Sequence, residues 1–249
     1  MDHWSEVVKQ WRLLGPPLRP CAADVAIVAA RVAGARRALV LGVTPELVGL
    51  PWPHRAGVIA SDRSPAMVHV LHPAPGAIVA DWRALPIASG ALDLAVGDGV
   101  LTTLPYPAGY RALARELQRV LAPGGRAIVR VFAAPERRDD VAAIEPRGDG
   151  FHALKWRLAM ALGETVGVAA IRDAFDARFP DRAALAARTG WSRDVIDSID
   201  VYRGSRVVFS FPTLARAAAA LAPELAVVDT VVPDYELGCP TIVLRRVAP

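Results

Sequence analysis

The stretch "LVLGVTPELVG", residues 39–49, contains the turn on which the fold depends. It begins as an apolar run, which predicts a buried strand, and the run stops at Gly42. A dinucleotide-binding loop would continue with the glycines of a G-x-G-x-x-G pattern, but Thr44, Pro45 and Glu46 occupy those places. Threonine suits a helix N-cap and proline the first helical position, so the stretch predicts a strand, a turn at one glycine and a helix.

Four more apolar runs continue this alternation of strand and helix as far as residue 133. They are "AGVIASD" (56–62), "GAIVAD" (76–81), "ALDLAVGDG" (91–99) and "APGGRAIVRVF" (122–132). These runs lack a polar/apolar alternation, which is typical of parallel strands covered on both faces. Between them, "SPAMVHVLH" predicts a helix with Ser64 as N-cap and Pro65 at its first position, and "YRALARELQRVL" predicts an amphipathic helix. The pattern therefore predicts an α/β fold with a parallel sheet.

The pattern changes after Phe132. Residues from about 139 to 200 predict helices with no strand candidate, and "FPTLARAAAALA" predicts a further helix. The last two runs, "LAVVDTVVP" and "TIVLRRV", predict an antiparallel hairpin at a sheet edge. We expect four regions: a helical cap at 1–21, a ligand-binding α/β core at 22–136, a helical insertion or lid at 137–210, and a helix and β-hairpin completing the core at 211–249.

Composition and charge exclude several classes of protein. Lys9 and Lys155 are the only lysines, so arginine supplies nearly all positive charge, which fits a GC-rich bacterial genome as well as a phosphate-binding surface. No basic run interleaved with aromatics appears, which argues against nucleic acid as a partner. Cys21 and Cys239 have no zinc-type spacing, so we expect reduced thiols and no metal. The start lacks a signal-peptide core and no apolar run could span a bilayer, so a cytoplasmic protein without membrane contact is expected.

Carboxylates follow the second and third predicted strands directly. Asp62 and Asp81 stand at these ends, and the fourth strand ends in "GDG" at 97–99. Ligands of open parallel sheets bind at the carboxyl ends of strands, where an acid after the second strand can accept from both ribose hydroxyls. An acid after the third strand could accept from the exocyclic amine of a base. The alternative for each is an ordinary N-cap or turn aspartate.

With these residues in place, residues 38–133 resemble the core of class I S-adenosylmethionine-dependent methyltransferases. The likeness lies in "ALVLGVTPEL", "VIASDRSPAMV", "AIVADWRALPIASGALDLAV" and "YRALARELQRVLAPGGRAIVRVF". It implies a Rossmann-like, mostly parallel seven-stranded sheet with a carboxy-terminal antiparallel hairpin, and S-adenosylmethionine as cofactor. The implied cofactor-binding residues are Gly42, Thr44, Glu46, Asp62, Arg63, Met67, Asp81, Trp82, Gly97, Asp98 and Gly99.

The resemblance also implies roles for these residues. Asp62 would bind the ribose diol and Asp81 the adenine amine, with Trp82 beside the ring and Met67 near it. Residues 97–99 would line the methionine end.

The first strand departs from the family pattern. Val40 stands where the family usually has an acid. Two readings of Glu46 stay open: it replaces that acid at the cofactor's ammonium group, or it is a first-turn glutamate that favours the helix dipole.

The resemblance implies methyl transfer to an oxygen, nitrogen or carbon atom, and a small-molecule acceptor is the expectation. Candidate acid–base groups are Asp98, Tyr106 and His152, with Tyr110, His69 and His72 as further options. Three alternatives remain: a non-catalytic or regulatory binder of the cofactor, a nucleic-acid methyltransferase, and a dehydrogenase, which would lack its glycine fingerprint.

The aromatic residues outside the core predict a cover over the cofactor. They are Trp4, Trp11, Phe151, His152 and Trp156. An apolar wall of this kind is typical of a small-molecule pocket. The alternative is that these side chains bury their helices against the core or against a second subunit, so a homodimer stays open.

Overall fold

The computed structural model describes residues 3–73, 75–235 and 237–247. Its strands are β1 (Ala38–Leu41), β2 (Val58–Asp62), β3 (Ala77–Val79), β4 (Leu92–Asp98), β5 (Leu121–Arg130), β6 (Thr165–Gly167), β7 (Val208–Ser210), β8 (Leu225–Val231) and β9 (Thr241–Arg246). In the described part, seven of them form one sheet in the order β3-β2-β1-β4-β5-β9-β8. Strands β1 to β5 run parallel and β9 is antiparallel to both neighbours. The predicted α/β fold with its mostly parallel sheet and antiparallel hairpin is confirmed.

Helices cover both faces of this sheet. They are α1 (His3–Lys9), α2 (Ala22–Ala29), α3 (Pro45–Val48), α4 (Pro65–Leu71), α5 (Ala108–Val120), α6 (Phe151–Leu162), α7 (Val168–Arg178), α8 (Arg182–Thr189), α9 (Arg193–Asp197) and α10 (Leu214–Leu221). Leu39 and Leu41 of β1 face the layer of α5 and α10, whereas Val40 faces the layer of α1 to α4. Both faces of β1 are thus buried, which explains its unbroken apolar sequence. No helix in the described ranges is long and apolar enough to cross a membrane.

The insertion contains strands that the sequence did not predict. Helices α6 to α9 match the helical segments expected there, but β6 and β7 pair antiparallel as a small ribbon. The expectation of no strand between 139 and 200 is therefore wrong. Each strand has three residues, too few to show a period of two, and the ribbon is held by burial of Val166 and Phe209 in the apolar cluster of the insertion.

Helix α2 ends at Ala29, and the two turns that follow it close with i→i+3 bonds, such as Arg31 N–H to Val28 O. Two boundaries differ from the sequence prediction. Strand β3 ends at Val79 instead of Asp81, where its ladder with β2 stops. The amino-terminal helix ends at Lys9 and continues as a short 3₁₀ turn.

The carboxy-terminal hairpin lies partly inside the sheet. Strand β9 pairs with both β5 and β8, so of the two hairpin strands β8 lies at a sheet edge, and β3 forms the opposite edge. The burial of the two strands reflects this arrangement, since the first four residues of β9 are buried and most of β8 is exposed.

Candidate cofactor and acceptor site

The turn after β1 brings the backbone of Gly42 to the carboxyl edge of the sheet. Gly42 has φ +96°, a conformation that favours glycine, and its N–H donates to Ser61 O at 2.7 Å. Pro45 begins α3 and Thr44 occupies the N-cap position without a side-chain capping bond. The loop is therefore a strand-to-helix turn, and its residues Gly42, Val43 and Thr44 line the cavity described below.

Glu46 has a partner within the protein. Its Oε1 accepts from Nε of Arg19 at 2.8 Å and from Nη2 at 2.5 Å. Glu46 thus ties the segment before α2 to the first turn of α3. It is absent from the cavity wall described below, and this ion pair favours the reading of Glu46 as a structural glutamate.

Asp62 ends β2 at the edge of the cavity. Its Oδ1 accepts from the Ser64 N–H at 2.8 Å, and Ser64 Oγ caps α4 by accepting from the Met67 N–H. This is the N-cap that the sequence predicted. Asp62, Arg63 and Met67 consequently lie together on the cavity wall.

Asp81 lies outside that wall. Arg83 donates from Nε to Oδ1 at 2.9 Å and from Nη2 to Oδ2 at 2.6 Å. Hydrogen bonding by Arg83 lowers the pKa of Asp81, so its carboxylate is ionised at neutral pH. The neighbouring Trp82 does line the cavity, and its indole N–H fixes the ring by donating to Ser61 O at 2.7 Å.

The "GDG" at the end of β4 is held by a buried arginine from β5. Arg130 donates from Nε to Asp98 Oδ1 at 2.5 Å, and its Nη1 lies 3.4 Å from Asp24 of α2. Gly99 turns the chain at φ +62°, where a Cβ would meet the Phe132 ring at 2.6 Å. Gly97 lies in the strand beneath, off the cavity wall.

The ion pair limits Asp98 as a general base. Burial raises the pKa of Asp98, and the adjacent Arg130 opposes that shift. Burial also disfavours the charged guanidinium, yet Asp98 and Asp24 raise the pKa of Arg130 above its ordinary value. A proton on Asp98 would break this pair, so the geometry favours a positioning role for its carboxylate.

A single cavity joins these strand ends to the amino-terminal segment and the insertion. It has a volume of about 140 Å³ and is partly open to solvent. Its sheet side contains eight of the predicted residues: Gly42, Thr44, Asp62, Arg63, Met67, Trp82, Asp98 and Gly99. The opposite side contains Trp4 and Trp11 from the amino-terminal segment, and Trp156, Tyr202 and Phe209 from the insertion.

Two of the three acid–base candidates lie away from the cavity. Tyr106 packs edge-on against Tyr110 and bonds weakly to Arg216 O at 3.4 Å. His152 is buried, and its Nε2 meets Leu13 O at 2.8 Å. Burial lowers the pKa of His152 to about 3, so its ring is neutral and serves to tie the amino-terminal segment to α6.

The sequence reasoning missed Lys155 and Arg130. Lys155 is 1% exposed and lines the cavity. The signal was present in each case, because a charged residue within a mostly apolar helix or strand is expected to be buried and to meet a partner or a ligand. Phe151, predicted as part of the cover, is buried within the insertion instead of lining the cavity.

Comparison with known proteins agrees with this architecture. Residues 42–129 match the family described as "Methyltransferase domain". No protein of curated function matches the chain significantly.

Three solved structures resemble it across nearly the whole length. One, titled a putative Zn-dependent alcohol dehydrogenase from Rhodobacter sphaeroides, has TM-score 0.66 at 14% identity, covering 98% of this chain and 97% of its own. An amino pentose methyltransferase from Micromonospora echinaspora with bound S-adenosylmethionine has TM-score 0.55 at 17% identity, covering 96% and 95%. The N-methyltransferase NodS from Bradyrhizobium japonicum with S-adenosylhomocysteine has TM-score 0.52 at 13% identity, covering 98% and 99%.

The sheet order, the strand-end site and the domain match define a class. The chain has the class I methyltransferase fold, and its residues 42–129 match the methyltransferase domain family.

Proposed function

We propose that this protein transfers a methyl group from S-adenosylmethionine to a small molecule held between the sheet edge and its aromatic cover. The observation that carries the proposal is the cavity itself. One side has the turn at Gly42 and the carboxylate of Asp62, and the other has three tryptophans and two further aromatic rings. Such a lining suits a nucleoside on the sheet side and an apolar acceptor opposite.

The residues of this chain supply positioning and exclusion of water. Asp62 offers a charged acceptor for the ribose diol, and the fixed Trp82 ring offers a face for the adenine. The cofactor supplies an activated sulfonium methyl. Displacement at that carbon requires the acceptor atom to lie in line with the carbon–sulfur bond, and it requires water to be excluded from the site. The cover formed by α1, α6 and the 3₁₀ turn Ser198–Tyr202 provides both.

Calorimetry with separate ligands tests the cofactor half of the proposal. S-adenosylmethionine and S-adenosylhomocysteine are expected to bind, and NADH is not. Asp62→Asn should weaken S-adenosylhomocysteine binding by about 1.5–3 kcal/mol, the worth of a charge-assisted hydrogen bond. Asp173→Asn, on the exposed face of α7, is the matched control and should bind like the parent.

A nicotinamide cofactor that binds while neither sulfur compound does would exclude methyl transfer. The non-catalytic alternative is separated by turnover. With S-adenosylmethionine and a panel of acceptors, an enzyme forms S-adenosylhomocysteine in proportion to methylated product, whereas a regulatory binder returns the cofactor intact.

A further inference from the structure

Lys155 places a cation without a counter-charge inside the cavity. It lies one turn into α6, and its Nζ is 4.7 Å from the ring centre of Tyr202 and 5.8 Å from that of Trp156. Within the described ranges no carboxylate pairs with it and no acceptor receives its protons, so burial alone sets its charge state. A buried ammonium in this condition is costly to the fold, which the aromatic faces only partly offset.

The charges around it lie on the other side of the cavity. Asp62 and Arg63 stand at the end of β2, and Asp98 is held by Arg130. The side that contains Lys155 is rich in aromatic residues, with Trp4, Trp156, Tyr202 and Phe209. The indole N–H of Trp156 and Oε1 of Gln10, which also line the cavity, are buried without a hydrogen-bond partner among the described residues. This side therefore offers positive charge and unpartnered polar groups, and none of its described lining residues is a carboxylate.

We propose that the methyl acceptor is a small organic acid with an aromatic or apolar body, whose anionic oxygen pairs with the Lys155 ammonium. The inference rests on the proposed function, since it names the substrate class of the same cavity. The body of the acid lies against the rings of Trp156, Tyr202 and Phe209. An anion here balances Lys155, and it also suits the sulfonium of the cofactor, which would otherwise share a cavity with an unpaired cation.

The protonation of Lys155 on ligand binding can be measured. Burial lowers the pKa of Lys155 to about 7, and an anion beside it favours the charged form, so an acid that binds at pH 8 takes up a proton. The groups that face Lys155 are Tyr202, His152 on its own helix, and His3 of α1, which packs on Tyr202 at 5.6 Å. Burial lowers the pKa of His152 to about 3 and raises that of Tyr202, so both stay neutral near pH 8.

The test is calorimetry on the full chain saturated with S-adenosylhomocysteine. The probes are phenylacetate, 4-hydroxybenzoate and indole-3-acetate, each beside its primary amide. At least one acid is expected to bind ten-fold or more tightly than its amide.

Lys155→Met should remove that preference while S-adenosylhomocysteine still binds. Lys9→Met, which changes the only other lysine, should keep that preference. At pH 8, titrations in two buffers of different ionisation enthalpy should show proton uptake by the parent and none by Lys155→Met.

Other results overturn the inference. They are equal binding of acid and amide, acid binding that survives Lys155→Met unchanged, and failure of all three acids to bind the loaded protein. Tighter binding of an amide than of its acid would mean that Lys155 faces a neutral acceptor, and this result would also refute the inference. If the acids bind through Lys155 but S-adenosylhomocysteine does not bind, the anion site stands and the proposed function fails.

Discussion

At the scale of single residues, Lys155 links stability to pH. Its pKa is about 7 in the folded protein against an ordinary value of 10.5, so between these values the unfolded chain binds more protons. The free energy of unfolding should therefore rise with pH above 7, by up to about 1.4 kcal/mol per pH unit, and this slope disappears below the folded pKa. Urea unfolding from pH 6 to 9 measures it. Lys155→Met should lack this slope and be the more stable protein at pH 6; identical pH profiles would contradict the assigned burial.

A second prediction at the residue scale concerns the contribution of Arg130 to stability. It neutralises two buried carboxylates, Asp98 and Asp24, and also donates from Nη2 to Pro17 O at 2.7 Å. Removal of one partner from a buried pair leaves charge uncompensated, so Arg130→Met should destabilise the fold by about 3–5 kcal/mol. Arg126→Met on the same strand, whose guanidinium is exposed, is the control. Equal denaturation midpoints for both variants would show that the pair contributes little.

The roles of Asp81 and Arg83 in cofactor binding can be distinguished by a matched pair of variants. Both oxygens of Asp81 already accept from Arg83, so an adenine amine would share the carboxylate with the arginine or displace it. Asp81→Ala should weaken S-adenosylhomocysteine binding by about 1.5–3 kcal/mol, whereas Arg83→Ala should leave it unchanged or tighter. Calorimetry measures both affinities. If only Arg83→Ala weakens S-adenosylhomocysteine binding, the arginine itself contacts the nucleoside.

At the scale of elements, the two halves of the cover are joined to each other. His152 of α6 bonds to Leu13 O, and Ser205 Oγ lies 3.2 Å from His3 Nδ1 of α1. Both contacts connect the amino-terminal segment with the insertion over the cavity. The two elements should therefore open and close as one body.

Deletion of residues 1–14 tests this coupling. The truncated chain loses the burial of Val7 and Val8 and some stability, but the sheet and its other layers are intact. S-adenosylhomocysteine affinity should fall by at least ten-fold while unfolding stays cooperative. Full affinity in a folded truncated protein would show that α1 is dispensable for the cover.

The elements also show what the sequence could and could not predict. Long buried strands such as β1 and β5 were read from unbroken apolar runs, and the α4 N-cap from Ser64 and Pro65. The three-residue strands β6 and β7 carry no period, so only tertiary packing defines them. Asp62 lies at the end of β2 and on the cavity wall, and its predicted role at the ribose stays a prediction. The engagement of Asp81 by Arg83 depends on rotamers that spacing does not encode. Lys155 needed the recognition that α6 is buried on all sides.

At the scale of the whole molecule, a ligand in the cavity contacts the amino-terminal segment, the sheet edge and the insertion together. Such a ligand binds the native state only, so S-adenosylhomocysteine at about 100 times its Kd should stabilise the fold by about 2.7 kcal/mol. For a chain of this size the Tm should rise by about 5–10 °C. Thermal unfolding followed by circular dichroism measures this, with NADH as the control ligand. A ligand-induced split into two transitions would mean that the cover is not closed over the cofactor.

The bridge between Ala134 and Thr213 has a consequence for how this protein could diversify. Ala134 N–H donates to Pro212 O at 3.1 Å, so the chain leaves for the insertion and returns from it at one point. The insertion has its own ribbon, and its apolar cluster is completed from outside by Phe132, Ala134 and Phe211. Replacing residues 137–210 with a different module would leave the register of the sheet intact. The choice of acceptor can therefore evolve by exchange of the insertion alone, while the sheet and its strand-end site are inherited unchanged.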